Sequence, residues 1–146
     1  MAGYQKTVVV HAPVEKVFDY LNDPNKLLEY WPGFVEVSDV RPLENGGTCF
    51  AYVYRFAGIR LEGNSEDVEI VPLRRMVSKS TGGVESTVTW EVEPVKDGTR
   101  VVFTQDYRIP MPMLGKFAEN MVVRLAERDG EVIMENMKAI LEGKEG

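Results

Sequence analysis

Polar residues placed among apolar ones are the part of this sequence with the most chemical potential. The segment from Pro112 to Glu142 has the spacing of one long amphipathic helix, and Asp129 and Asn136 lie two turns apart within its apolar stripe. A polar side chain on a buried helix face needs a hydrogen-bonding partner, water or a cavity. The pattern therefore predicts the polar part of a pocket or a hydrated cavity.

Asp129 has two interpretations. In the first, it meets a cation, lies in a hydrated pocket or has a raised pKa, because an ionised carboxylate in a dry core is strongly destabilising. In the second, Gly130 bends the helix and lets Asp129 reach water, since glycine weakens a helix interior by about 1 kcal/mol relative to alanine. The sequence leaves both interpretations open.

Aromatic residues of the predicted strands supply a candidate wall for such a pocket. Residues 49–56 place Phe50, Tyr52, Tyr54 and Phe56 on one side of a strand. Aromatic surface with few polar groups is expected of a pocket for a mostly apolar small molecule, although core packing explains each residue alone. The predicted ligand-binding residues are Trp31, Tyr52, Tyr54, Trp90, Phe103, Gln105, Tyr107, Met121, Leu125, Asp129 and Asn136.

Gln105 is the one polar residue on the apolar face of its predicted strand. It could reach a ligand directly. A hydrogen bond to Asn136 or to a tyrosine would satisfy the amide equally well.

Catalytic and metal-binding motifs are not evident in this sequence. The chain has one histidine, His11, and one cysteine, Cys49. The usual zinc ligand sets need more of these residues, and a Ser-His-Asp arrangement would have to use His11. His11 lies between the first predicted strand and helix, where an exposed or helix-capping role is expected. The glycine pairs 46–47 and 82–83 match no phosphate-binding motif. No catalytic residue, metal or cofactor is therefore predicted.

The elements that must position these residues begin with a strand at residues 4–10, which are rich in β-branched side chains. Pro13 then suits the first turn of a helix, because its missing N–H would be unpaired there. The Asp23-Pro24 pair is a second helix start, with Asp23 as the cap. Pro32-Gly33 ends that helix.

Period-two alternation from Phe34 to Ile109 predicts six further strands joined by hairpin turns. A change of phase indicates a bulge near residues 63–67. Two short helices, about seven antiparallel strands and a long final helix predict an α+β fold, in which a curved sheet wraps around that helix. We expect one domain over residues 1–146.

Composition limits the classes of partner. The 146 residues carry a net charge of −6 and are 44% hydrophobic, which argues against a general grip on nucleic acid phosphates. No apolar run approaches the roughly 20 residues of a membrane span, and the N-terminal residues have no secretion signal. We expect a cytoplasmic protein without stable membrane insertion, and no feature fixes its oligomeric state.

Four stretches carry a resemblance to a known family. These are residues 8–24, with the sequence VVVHAPVEKVFDYLNDP, and residues 30–34, 98–101 and 135–138. They resemble the START-like, Bet v 1-like (SRPBCC) superfamily, which includes polyketide cyclases, lipid-transfer domains and coenzyme Q-binding proteins. The resemblance covers nearly the whole chain. It implies a helix-grip fold, commonly with a cavity between the long helix and the sheet.

Three hypotheses for function follow. The first is a binding or carrier protein for a hydrophobic small molecule, such as a lipid, an isoprenoid or a polyketide-like aromatic. The second is an aromatase, cyclase or dehydratase that uses Asp129 with a tyrosine as general acid or base. The third is a protein-interaction or cofactor-maturation module, for which Val123 and Met134 on or beside the polar helix face would form a contact patch.

Overall fold

Seven strands form one curved antiparallel sheet. The computed structural model describes residues 2–56, 58–83, 85–108 and 115–143, with the side chains of residues 2 and 115–119 outside this description. The strands are β1 (Ala2–Val10), β2 (Phe34–Pro42), β3 (Thr48–Phe56), β4 (Ile59–Val71), β5 (Arg75–Thr81), β6 (Ser86–Val95) and β7 (Gly98–Tyr107). Their order across the sheet is β1-β7-β6-β5-β4-β3-β2. The predicted helix-grip fold is confirmed.

Two short helices and one long helix accompany the sheet. Helix α1 (Val14–Leu21) follows Pro13, whose extended backbone serves as the N-cap. The second predicted helix is instead a 3₁₀ turn at Pro24–Lys26 followed by α2 (Leu27–Tyr30). The Asp23 carboxylate accepts a hydrogen bond from the backbone N–H of Asn25 and so acts as the predicted cap. Helix α3 spans Gly115–Leu141, and its predicted start at Pro112 lies outside the described residues.

The buried face of α3 differs from the predicted stripe. The buried residues among its described side chains are Ala126, Gly130, Ile133, Met134, Met137 and Leu141. Val122, Leu125, Val132 and Ile140, which belong to the predicted stripe, are only partly buried. The observed face is turned by about one residue, or roughly 100°. Met134, 5% exposed, is a core residue, so the contact patch predicted with Val123 is wrong.

The core lies between the sheet and the C-terminal half of α3. Trp90, Val92, Val101 and Phe103 face it from β6 and β7, as the alternation predicted. Helix α1 packs on β6 and β7, while α3 packs on β1 and α2. This part of the molecule is filled by side chains, and the space that remains lies under the preceding half of α3.

The bulge predicted near residues 63–67 is found in β4, at the C-terminal end of that range. The pairing of β4 with β5 shifts register between Asp67 and Glu69, and Val68 is 42% exposed. The extra residue changes which positions face inward. As a result Asp67 is buried, and Ile70 packs against the core three positions later.

Glu142, just after α3, connects the end of this helix to the end of β1 through hydrogen bonds. Glu142 belongs to the predicted polar face, but its side chain is 3% exposed. Its carboxylate accepts hydrogen bonds from the backbone N–H of His11 at 2.8 Å and from Lys138 Nζ at 2.7 Å. Lys138 Nζ also donates to the carbonyl of Val9 at 2.7 Å. The exposed His11, as predicted, belongs to a strand-helix junction.

Candidate functional site

A partly open cavity of about 140 Å³ lies between α3, the α1–α2 segment and the sheet. Its volume is comparable to that of engineered apolar cavities of about 150 Å³ that take up benzene. A larger depression of about 570 Å³ lies elsewhere, on the outer face near Arg75 and Glu91. That depression is an open groove with charged side chains, among which Arg75 pairs with Glu91 at 3.0 Å and Arg100 pairs with Glu93. The cavity under α3, with its mostly apolar lining, is therefore the candidate site.

Directly paired residues of a sheet point to the same side, so the strand register gives the cavity floor as three rows. An apolar row consists of Phe103, Trp90, Met76 and Ile70. A mixed row consists of Tyr4, Gln105, Val88, Ser78 and Asp67. A serine row consists of Tyr107, Ser86, Ser80, Ser65 and Phe50. Every member of the mixed and serine rows lines the cavity.

Aromatic rings form one wall. The Phe34 ring lies at 5.0 Å from that of Tyr54 and at 5.5 Å from that of Tyr52, both edge to face. The Trp31 indole contacts Phe34 and Phe103 in the same manner, and its Nε1 donates to the Tyr54 hydroxyl at 3.0 Å. Such edge-to-face pairs fix ring orientations beyond what area burial does. The wall is therefore closely packed and mostly apolar.

One polar group of the cavity, the Asp129 pole, comprises Tyr4, Tyr54, Gln105 and Asp129. The Tyr4 hydroxyl donates to Gln105 Oε1 at 2.6 Å, so the predicted tyrosine partner of Gln105 is Tyr4. Gly130 permits this arrangement, because a Cβ on it would overlap the Tyr4 ring and lie 2.8 Å from its Cζ. The structure thus gives Gly130 the role of admitting a ring, and Asp129 faces the cavity.

The hydroxyl and carboxyl groups of the Asp129 pole have pKa values above their ordinary ones. Burial raises the pKa of Tyr4, and the neighbouring Tyr54 and Asp129 raise it further. Burial raises the pKa of Tyr54 to about 12, although the hydrogen bond from Trp31 opposes this shift. Burial also raises the pKa of Asp129. Burial therefore shifts the titration of Tyr4, Tyr54 and Asp129 toward their neutral, hydrogen-bond-donating forms.

A second polar group, the Asp67 pole, comprises Asn22, Tyr30, Thr48, Asp67 and Ser78. The Asp67 carboxylate accepts hydrogen bonds from the Thr48 backbone N–H at 2.8 Å and from the Ser78 hydroxyl at 2.6 Å. All of these residues line the cavity. The pocket therefore has two polar groups, and the sequence predicted one.

Seven of the predicted site residues line the cavity: Trp31, Tyr52, Tyr54, Trp90, Gln105, Tyr107 and Asp129. Phe103 is fully buried behind Trp90, with ring centroids 4.4 Å apart. Met121 is 50% exposed, and Leu125 is partly exposed. The Asn136 amide donates to the Tyr30 carbonyl at 3.2 Å. These last four are not among the described lining residues, and ligand binding by the other seven stays a prediction.

Several lining residues were missed by sequence reasoning. Tyr4 showed no signal beyond membership of a predicted strand. Ser65, Ser80 and Ser86 did show one, because each is a small polar residue on the inward side of its strand. Together they leave space at the cavity floor.

Comparison with family models decides the family. The model for polyketide cyclase/dehydrase and lipid transport proteins matches residues 1–142. The chain belongs to this family. The resemblance to START-like, Bet v 1-like proteins is therefore confirmed, while no curated protein matches the chain significantly.

Solved structures share the fold of this member of the polyketide cyclase/dehydrase and lipid transport family. TTHA0849 from Thermus thermophilus superimposes with a TM-score of 0.83 at 22% identity, covering 99% of each chain. A START superfamily protein from Mycobacterium smegmatis gives 0.82 at 16% identity, covering 98% of this chain and 99% of that one. The Zhui aromatase/cyclase from Streptomyces sp. R1128 gives 0.79 at 19% identity, covering 96% and 93%. At these identities the likeness shows the fold.

The described residues of this family member contain neither a membrane-spanning helix nor a cluster of metal ligands. No helix there is both long and apolar enough to cross a membrane. Within the same residues, no group of three or more His, Cys, Asp and Glu side chains could hold a metal ion.

Asp129→Asn is expected to raise the free energy of unfolding at neutral pH and to leave it nearly unchanged in acid. A carboxyl with a raised folded-state pKa contributes most below its unfolded pKa, and its contribution falls as pH rises through the folded pKa. An asparagine side chain does not ionise, so the variant does not lose this stability as pH rises. Urea denaturation at about pH 4 and about pH 7 measures it.

Glu135→Gln, on the exposed side of α3, is the matched control for that comparison. It should change stability equally at both pH values. An equal effect of Asp129→Asn at both pH values would contradict the raised pKa.

Proposed function

We propose that the protein binds a mostly apolar small molecule in the cavity under α3, as a carrier or binding protein. The observation that carries the proposal is a partly open cavity between α3 and the sheet, with a wall of aromatic rings packed edge to face. A void of about 140 Å³ costs stability if it stays empty, since its lining loses packing contacts. A bound ligand would restore those contacts.

The ligand classes proposed are lipids, isoprenoids and polyketide-like aromatics. The aromatic wall and the apolar floor row suit flat rings or branched chains, and the two polar groups suit a ligand with few heteroatoms. The family match supports binding of this kind, and the aromatase/cyclase named above supports aromatic ligands. A cytoplasmic location stays part of this proposal.

Filling the cavity tests the proposal. Val122→Trp should weaken binding of any cavity ligand at least tenfold, because Val122 lines the cavity and an indole would occupy much of it. Ligands are identified by native mass spectrometry of gently purified protein and ranked by calorimetry against a panel of lipids and small aromatics.

The adjacent Met121→Trp is the matched control, because Met121 is 50% exposed and carries the same substitution to the outside of the helix. It should bind as the wild type does. Equal affinities of the two variants, or no binding from the whole panel, would contradict the proposed function.

An aromatase, cyclase or dehydratase activity in the same cavity is the second candidate. The observation that favours it is Asp129, whose carboxyl faces the cavity with a raised pKa beside Tyr4 and Tyr54. A general acid works best with a pKa moved toward the working pH. Loss of turnover with retained binding in Asp129→Asn would favour an enzyme over a carrier.

A further inference from the structure

Tyr30 carries a hydroxyl group that the described structure leaves without a partner. The residue is 1% exposed, and its ring packs against Tyr20 at 5.5 Å and Trp90 at 6.3 Å between centroids. Among the described residues, its hydroxyl oxygen has no hydrogen bond, yet the residue lines the cavity. A buried hydroxyl without a partner is destabilising, so such groups usually have a ligand or water beside them.

Asn22 shows the same feature in the same wall. Its side-chain oxygen is buried and has no hydrogen-bond partner among the described residues. Its amide nitrogen donates to the carbonyl of Gly46 at 3.4 Å, and Oδ1 is the acceptor that stays unused. Two residues that line the cavity thus have one unused donor, on Tyr30, and one unused acceptor, on Asn22.

The carboxyl groups of the cavity also limit the charge that a ligand can carry. The Asp67 carboxylate already accepts from Thr48 and Ser78, and Asp129 places a second carboxyl group in the same cavity. Arg108 is the one cationic residue among the described lining residues, and it is exposed and pairs with Glu85 at 3.5 Å. An anionic ligand would therefore enter a cavity with two carboxyl groups and no buried cation.

We propose that the Asp67 pole is a subsite for a neutral hydroxyl group of the ligand, which accepts a hydrogen bond from Tyr30 and donates one to Asn22. This inference rests on the proposed function and narrows it to alcohols and phenols rather than carboxylic acids. A hydroxyl is the smallest group that satisfies both atoms at once. Discrimination is strong at such sites, because a ligand without the hydroxyl leaves both buried groups unpaired.

Three single-ring probes of matched shape test the subsite: p-cresol, p-xylene and 4-methylbenzoate, each titrated by calorimetry into the wild-type protein and Tyr30→Phe. We expect Tyr30→Phe to weaken p-cresol roughly three- to tenfold and to leave p-xylene unchanged, because one neutral hydrogen bond is lost. In the wild type, 4-methylbenzoate should bind at least tenfold more weakly than p-cresol, on the order of one charge left unpaired in the cavity. Thermal unfolding confirms that the variant is folded.

Tyr54→Phe places the same substitution at the Asp129 pole and locates the hydroxyl. If Tyr54→Phe rather than Tyr30→Phe removes the selective binding of p-cresol, the hydroxyl binds at the Asp129 pole and the proposal is overturned. If Tyr30→Phe affects p-cresol and p-xylene equally, or neither, Tyr30 and Asn22 bond to buried water only, and the cavity function stands without the subsite. Binding of none of the three probes would overturn the subsite, whereas the ligand panel with Val122→Trp and Met121→Trp tests the cavity function separately.

Discussion

Trp31→Ala is expected to lower the free energy of unfolding by about 3–5 kcal/mol. The indole is 6% exposed and contacts Phe34 and Phe103 at 5.3 and 5.5 Å between ring centroids. Its removal would enlarge the cavity. It would also leave the Tyr54 hydroxyl without the hydrogen bond that the indole N–H donates to it. Both effects act in the same direction, since lost packing and an unpaired buried group are each destabilising.

Urea denaturation followed by circular dichroism measures this loss. Trp31→Phe helps to separate the two contributions, because it keeps a ring in the wall while removing the N–H group and part of the indole area, and we expect about 1 to 2 kcal/mol. Leu28→Ala, in the preceding helix α2 and 49% exposed, should cost under about 1 kcal/mol. A loss for Trp31→Ala no larger than that control would mean that the aromatic wall does not hold the fold together.

Gly130→Ala is expected to destabilise the protein by about 2 kcal/mol, although alanine is the better helix former. A Cβ at this position would overlap the Tyr4 ring, which packs edge to face on Phe103 at 5.9 Å and bonds to Gln105. The ring would have to move away from α3. The hydrogen bond at the Asp129 pole would be lost with it.

A double-mutant cycle makes this expectation specific. In a Tyr4→Ala background the overlap is absent, so Gly130→Ala should become stabilising by up to about 1 kcal/mol, the intrinsic helix preference. Chemical denaturation of the two single variants, the double variant and the wild type gives the coupling free energy. A destabilising effect of the same size in both backgrounds would show that Gly130 serves something other than contact with Tyr4.

Strand alternation predicted the sheet well, and helical spacing predicted α3 less accurately. Val88, Trp90 and Val92 face inward as expected. Side chains alternate between the two faces of a strand, and only one face of this sheet packs against the core. In α3, apolar residues such as Val132 and Ile133 occupy a wider arc than the surface that the sheet covers. The sequence cannot say which part of that arc is buried, so the predicted face was off by one residue.

The candidate site was predicted where one strand carried the signal and missed where distant segments meet. Tyr52 and Tyr54 followed from parity alone. The Tyr4–Gln105 bond joins residues that are 101 positions apart, and it depends on the pairing of the first strand with the last. Tyr30 and Asp67 likewise line one cavity only through the fold, and Asp67 lies just before a bulge whose position the change of phase indicated only approximately.

The serine row separates the capacity of the pocket from the stability of the fold. Ser65, Ser80 and Ser86 occupy adjacent positions on three neighbouring strands, while the core depends on the row of Trp90 and Phe103. Exchanging one serine for a larger or smaller side chain would therefore reshape the floor without disturbing that core. A scaffold arranged in this way can acquire a new ligand by single substitutions, so diversification of binding within the family need not require any change of backbone.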